Sequence, residues 1–176
     1  MSLASPPPLA SPPTAAPPPS VGRLREIGLF GGLGDDILET FIAVLAQIEL
    51  PPGSSVFHEG EAGRDLFVIL DGEVEVLRRS KRGHETRVAL LGPGDWFGEM
   101  SILDVLPRSA TMRVVAPVQL LRFSAHDLDA LYRRDQRSYS LLVLNIAREI
   151  SRRLRVADGL LADLVGNMLD QFTRRP

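Results

Sequence analysis

The residues with the most chemical content stand close together: Phe97-Gly98-Glu99-Met100-Ser101-Ile102-Leu103, then Pro107-Arg108-Ser109-Ala110-Thr111. An acidic residue directly follows a glycine, and an arginine stands nine positions later, just before a stretch that reads as a strand. Glycine lets backbone amides approach a ligand closely, because no Cβ intervenes. A short helical turn beginning at Gly98 would aim its free N–H groups at an anion. Arg108 could grip the same anion through two parallel hydrogen bonds. Ionised Glu99 can only accept, which suits a hydroxyl and not a phosphate. Together these groups describe a ligand with one phosphate and a neighbouring hydroxyl, as in a sugar phosphate or a nucleotide. The plainer alternative is a salt bridge between adjacent loops.

The elements that must position these groups follow from periodicity and turn signals. Leu24, Ile27, Leu29 and Phe30 open a short helical segment that Gly31-Gly32 and Gly34 break. Ile37, Leu38, Phe41, Ile42 and Leu45 then repeat at helical spacing behind Asp35 and Asp36, up to Pro51-Pro52-Gly53. Residues 53–123 read as short strands: 55–57, 66–70, 74–77, 87–91, 111–115 and 118–123. Turn signals separate them, and Asp71-Gly72 between two apolar runs predicts a hairpin. Many short strands at this spacing predict a sandwich, jelly roll or small barrel. Ser124 with Asp127 resembles a capping box ahead of a short helix through Tyr132. A long helix follows, from about Ser138 to Phe172. The fold class is thus mainly β with flanking helices: a jelly-roll-like β-roll, short N-terminal helices and a long C-terminal helix.

The ordered pattern Phe-Gly-Glu-Met-Ser-Ile-Leu, a spacer, then Pro-Arg-Ser-Ala-Thr resembles the phosphate-binding cassette of cyclic-nucleotide-binding domains. The likeness extends from about residue 24 to 170, through Gly53, Gly60, Asp71-Gly72, Gly94-Asp95 and the long helix. It implies a β-roll that holds a cyclic mononucleotide and reports it through the C-terminal helix. Arg108 would then meet the cyclic phosphate and Glu99 the ribose 2′-hydroxyl. Gly98, Met100 and Ala110 would complete the cradle, and Ser109 would stand beside the phosphate. Val76, Val88 and Phe97 match apolar positions flanking sugar and base, with plain core packing as their alternative. On the helix, Ala157 and Asp158 match positions over the purine, and Ala157 lacks the hydroxyl found in bacterial activators of the family. Ser109 makes cAMP the first expectation, cGMP the second and a cyclic dinucleotide the third. No catalysis and no cofactor are implied. A ligand-free interaction scaffold is the reading of another class.

The remaining features set limits. Of fourteen prolines, eight lie in residues 1–20, which carry no charge and read as a disordered, proline-rich tail, with a ligand for a proline-recognising partner as the alternative. The organisation expected is this tail, a ligand-binding roll over 21–136, and a helix over 137–173 serving as lid and dimer interface. A net charge of −2 argues against a general polyanion binder, and the absence of cysteine fits a reducing, cytoplasmic setting. No apolar run approaches the roughly 20 residues that span a bilayer. His58, His84 and His126 include no His-x-His pair, so a cupin-like metal site is not expected. Between 133 and 155, seven arginines face two carboxylates; a basic DNA face is one reading of this stretch, and a solvated helix face is the commoner one. Family members that act as transcription activators bind DNA through a helix-turn-helix after the long helix. None follows here, so no direct DNA binding is expected, and the chain could be a fragment. Val143, Ala147, Ile150, Leu154, Ala157, Leu161, Leu164 and Met168 alternate four and three apart, the spacing of a coiled-coil seam. That predicts a homodimer, with packing on the roll as the competing account of the seam's first half. Gly159, unfavourable in a helix interior, marks a place for a ligand-dependent bend.

Overall fold

The computed structural model describes residues 17–173, with side chains through Met168. The tail expected over residues 1–20 lies outside the described residues as far as residue 16. Helix α1 (Val21–Glu26), a 3₁₀ turn (Gly28–Phe30) and α2 (Asp35–Val44) precede the strands. These are β1 (Ala46–Leu50), β2 (Ser55–Phe57), β3 (Asp65–Arg79), β4 (Glu85–Leu91), β5 (Trp96–Phe97) and β6 (Thr111–Ser124), with α3 (Glu99–Leu103) between β5 and β6. Helices α4 (Ala125–Arg134) and α5 (Gln136–Thr173) follow. All strand pairings are antiparallel in the order β1-β6-β3-β4, with β2 on β6 and β5 on β3. The β-roll with flanking helices is the fold the sequence leads one to expect.

The run Leu66-Phe67-Val68-Ile69-Leu70 lacks polar alternation because both faces of β3 are covered. Successive side chains point to opposite faces. Leu66, Val68 and Leu70 therefore join the core beneath the helices, and Phe67 and Ile69 the core inside the roll. Strand β6 divides likewise, with Leu121 and Phe123 on the helical side and Met112, Val114, Val118 and Leu120 inside. Phe30, Phe41 and Phe123 tie α2 to the sheet, with ring centroids 4.9–5.8 Å apart.

Three strand expectations need correction. Asp71-Gly72 is not a hairpin: β3 runs straight through it, and the pairing with β6 shifts register three times between Ile69 and Val74. Gly72 sits at φ 84°, and a Cβ there would overlap the Pro117 carbonyl. The glycine bends a strand that a long partner holds on its full length, as a bulge does. By the same pairing, 111–115 and 118–123 are one strand across Ala116-Pro117. Strand β1 was missed, since Ala46–Leu50 follows a helix without a break residue and pairs only with the distant Val118–Arg122.

Ser124 caps α4 in a full capping box with Asp127. The first half of α5 packs through Leu142 and Ile146, and the Asn145 amide donates to the carbonyls of Leu29 (3.0 Å) and Gly31 (2.9 Å). Of the seam residues, Val143 and Ile150 are half-buried, and Ala147, Leu154, Ala157, Leu161, Leu164 and Met168 are exposed. The roll and short helices thus cover a face beside the seam, and packing explains its first half only partly. Beyond Arg153 every described side chain of α5 is exposed. Among the described residues, no helix is long and apolar enough to cross a membrane.

Candidate ligand-binding site

The inner core of the roll ends in a cavity of about 310 Å³. Phe57, Val76, Leu91, Phe97 and Met112 supply apolar wall, and Glu99, Arg108 and Arg153 supply charge. Gly98, Met100, Ser101, Ser109 and Ala110 also line it, so the two ends of the cassette, 97–101 and 108–110, converge on one place.

Gly98 makes the convergence possible. Its φ of 89° is left-handed, and a Cβ there would lie 2.6 Å from the Asp65 carbonyl oxygen and 2.9 Å from Arg108 Nη1. The residue caps α3 without a side-chain acceptor for the helix amides. Glu99, first in α3, is 6% exposed. Burial pushes its carboxyl above the ordinary carboxylate range; Arg153 and Arg108 oppose the shift, and Glu149 adds to it.

Arg108 is held from both sides of its own backbone. Its N–H donates to the Glu61 carbonyl (2.8 Å), and its carbonyl accepts from Gly60 (2.9 Å). The guanidinium is 4% exposed, lies 4.1 Å over the Phe57 ring, and donates from Nη1 to the carbonyls of Asp65 (2.7 Å) and Gly98 (3.3 Å). Its ion-pair partner is Asp65, 3.7 Å from Nη2. That carboxylate is already engaged at 2.8 Å and 2.9 Å by Arg122. One carboxylate therefore serves two guanidinium groups. Burial lowers the Arg108 pKa, against the pull of Asp65 and Glu61. Its Nε–H is buried and has no acceptor among the described residues. A buried donor without a partner costs about 1–3 kcal/mol, more when charged. The site is built to receive negative charge.

Two residues of the site escape the sequence reading. A Cβ at Gly63 would run into the Arg108 guanidinium, so only glycine leaves that side chain its place. Arg153 crosses from α5 to the cavity. Its Nη1 lies 3.5 Å from Glu99 Oε1, Nη2 donates to the Trp96 carbonyl (2.8 Å), and Nε donates to Glu149 (3.2 Å). A signal for it exists: 142, 146, 149 and 153 continue the buried face of the helix, so one arginine of the basic stretch had to turn inward.

Other expected residues lie elsewhere. Val88 is 57% exposed and does not line the cavity; Ala89, paired with Val76, does. Alternation along β4 puts the two on opposite faces. Ala157 and Asp158 are exposed on α5 beyond Arg153 and do not reach the cavity. Helix α5 runs unbroken through Gly159. His58, His84 and His126 are all exposed, and no group of three or more metal-ligating side chains occurs among the described residues.

The family model described as "Cyclic nucleotide-binding domain" matches residues 47–135. The "Cyclic AMP receptor protein" of Thermus thermophilus is 37% identical over 130 residues, which is 74% of this chain and 58% of that one. The chain thus spans about three-fifths of the length of that curated relative. The crystal structure of the N-terminal domain of a transcriptional regulator from Streptomyces coelicolor superposes with a TM-score of 0.66 at 31% identity, covering 74% of this chain and 94% of that one. A cyclic nucleotide-binding domain from Methylobacillus flagellatus shares the fold, with a TM-score of 0.75 at 24% identity over 81% of this chain and 83% of its own.

Proposed function

The chain belongs to the cyclic nucleotide-binding domain family, and from that premise we propose that it is a regulatory domain whose cavity takes cAMP. The carrying observation is the Arg108 guanidinium, 4% exposed on the cavity wall with a buried N–H to spare. A singly charged cyclic phosphate supplies the missing charge and acceptor. Glu99 accepts from the ribose 2′-hydroxyl, since an ionised carboxylate offers only lone pairs. Gly98, Met100, Ser109 and Ala110 frame the phosphate, and Val76, Phe97, Ala89 and Leu91 flank sugar and base.

The choice of cAMP is supported by Ser109 directly after the arginine and by the name of the Thermus thermophilus relative. The cavity pairs no nucleophile with a general base, which favours binding over catalysis. Arg153 joins the cavity to α5, so a ligand that engages Glu99 changes what holds the helix there. The exposed Leu154, Leu161, Leu164 and Met168 favour a homodimer through α5. Calorimetry with cAMP, cGMP and cyclic di-GMP tests the reading. Saturable one-to-one binding of cAMP, tighter than cGMP, is expected; heat from none of the three would leave an interaction scaffold in its place.

A further inference from the structure

Strand β4 is the outer strand in the sheet order β1-β6-β3-β4. At the tip of its hairpin with β3, the Ser80 backbone N–H donates to the His84 carbonyl (2.8 Å), and Arg79 then faces Glu85, Arg78 faces Thr86 and Leu77 faces Arg87. Hydrogen-bonded and non-hydrogen-bonded positions alternate along an antiparallel pair. The N–H and C=O groups of Glu85 and Arg87 are therefore turned away from β3, and among the described residues no other strand meets them there. The side chains around this open edge are basic. From Arg78 to Arg87 five cations stand against one carboxylate, in a chain whose net charge is −2, and every residue of the stretch is exposed. Arg79 and Arg87 reach Glu85 and Glu75 only at 3.9 Å and 3.8 Å. Lys81 and Arg82, at the turn, pair with no carboxylate among the described residues. Val88 has no register partner on β3 and adds an exposed apolar side chain beside the charges.

Basic side chains on a sheet edge keep two like edges apart, which argues against a second copy of this strand as its partner. The same charges attract an acidic one. A phosphodiester strand or a lipid headgroup brings its negative charge on acceptor oxygens and leaves the outward carbonyls of Glu85 and Arg87 unmet. A polypeptide backbone brings N–H and C=O together, at the spacing of the strand it joins. We propose that the free edge of β4 is a docking surface for an extended, acidic segment of a partner protein. The segment adds as a further strand along Glu85–Arg87, sets its carboxylates against Lys81, Arg82 and Arg87, and lays an apolar side chain on Val88. None of these residues lines the ligand cavity, so the surface stands apart from the reading of that site.

Fluorescence anisotropy of the full chain with a labelled peptide of alternating Glu and Val tests the proposal. Saturable binding is expected, weakening as salt rises. The double variant K81E/R82E is expected to bind roughly tenfold more weakly, as two reversed surface charges would give. Methylating alternate backbone nitrogens of the peptide keeps its charge and removes the N–H groups that a strand needs, at an expected loss of about tenfold or more on the unaltered protein. Two substitutions at one position then separate charge from strand addition. E85Q and E85P both remove the carboxylate, and only proline removes the outward N–H, at an edge position where a sheet tolerates it. E85Q is expected to bind the peptide more tightly than wild type, and E85P more weakly. Equal binding of the methylated and unmethylated peptides, or tighter binding by E85P than by wild type, reduces the surface to a charge effect and overturns the proposal. Absence of peptide binding overturns it, and so does tighter binding of phosphatidylserine vesicles or of oligothymidylate than of the peptide.

Discussion

Replacing Arg108 by alanine separates what the residue does for the ligand from what it does for the fold. The guanidinium gives two hydrogen bonds to backbone carbonyls and a 3.7 Å ion pair to Asp65. Asp65 retains Arg122 at 2.8 Å when Arg108 is removed, so no carboxylate is stranded. The lost hydrogen bonds are worth about 1.5–3 kcal/mol each at most for a charged donor. Against this, a buried charge whose pKa burial lowers disappears, and with it an unsatisfied Nε–H. The two effects oppose, and the net change in folding stability is expected within about 2 kcal/mol. Binding has no such offset: a desolvated anion loses its countercharge, at a cost of about 2–5 kcal/mol. That is roughly 30-fold to several-thousand-fold in Kd. Arg108→Lys is expected to bind poorly too, since a point charge on a flexible stem cannot replace the planar fork over Phe57. Calorimetry gives Kd, and thermal melts without ligand give the stability difference. Binding of cAMP by Arg108→Ala within threefold of wild type would falsify the assignment. An affinity loss matched by an equal loss of stability would make the residue structural.

Other perturbations reach the same site by different routes. Gly63→Ala presses a methyl group into the Arg108 guanidinium, so cAMP affinity is expected to fall at least tenfold while circular dichroism stays native; unchanged binding would mean that Arg108 has room to move. The wild type is expected to disfavour 2′-deoxy-cAMP by about 1.5–3 kcal/mol, and Glu99→Ala to lose most of that preference; an undiminished ratio would remove Glu99 from ribose recognition. Because burial raises the Glu99 carboxyl, the folded state holds its proton to higher pH than the unfolded chain does. Between those two pKa values stability falls as pH rises, so Glu99→Gln is expected to melt higher than wild type at neutral pH, with the gap closing under acid. A constant gap across pH would contradict the burial account. Leu161→Glu with Leu164→Glu is expected to give monomers in light scattering.

The cassette was legible because its chemistry is local. Gly98, Glu99 and Arg108 lie within one short stretch, between β5 and β6 and around the single helix α3. The strand character of 66–70 and 118–123 was legible for the same reason, since β-branched and aromatic residues mark it locally. What stayed hidden depends on contacts between distant segments. Asp71-Gly72 looks like a hairpin until β6 is seen holding β3 on both sides of it. Gly63 looks like an ordinary loop glycine until Arg108, from 45 positions later, is packed where a Cβ would stand. Val88 fails by one residue, since a strand with one face toward a cavity gives no sign of which face when small and apolar side chains occupy both.

Arg153 shows how a charge run conceals a site. Seven arginines between 133 and 155 read as one solvated face, yet they divide by their surroundings. Arg133, Arg148, Arg152 and Arg155 are exposed, and their polar partners lie within about a turn on their own helix: Asp129, Asn145, Glu149 and Ser151. Arg153 is 34% exposed and reaches the Trp96 carbonyl and the Glu99 carboxylate, both outside its own helix. It is also the last described residue of α5 that is not exposed. The buried face of α5 therefore ends at the residue whose guanidinium lies 3.5 Å from the Glu99 carboxylate, and the described residues from Leu154 to Met168 are all exposed. A ligand that alters the Glu99–Arg153 pair acts on the final tether of the helix. No long chain of packed side chains is needed to carry its presence outward, because cavity and helix meet at one ion pair.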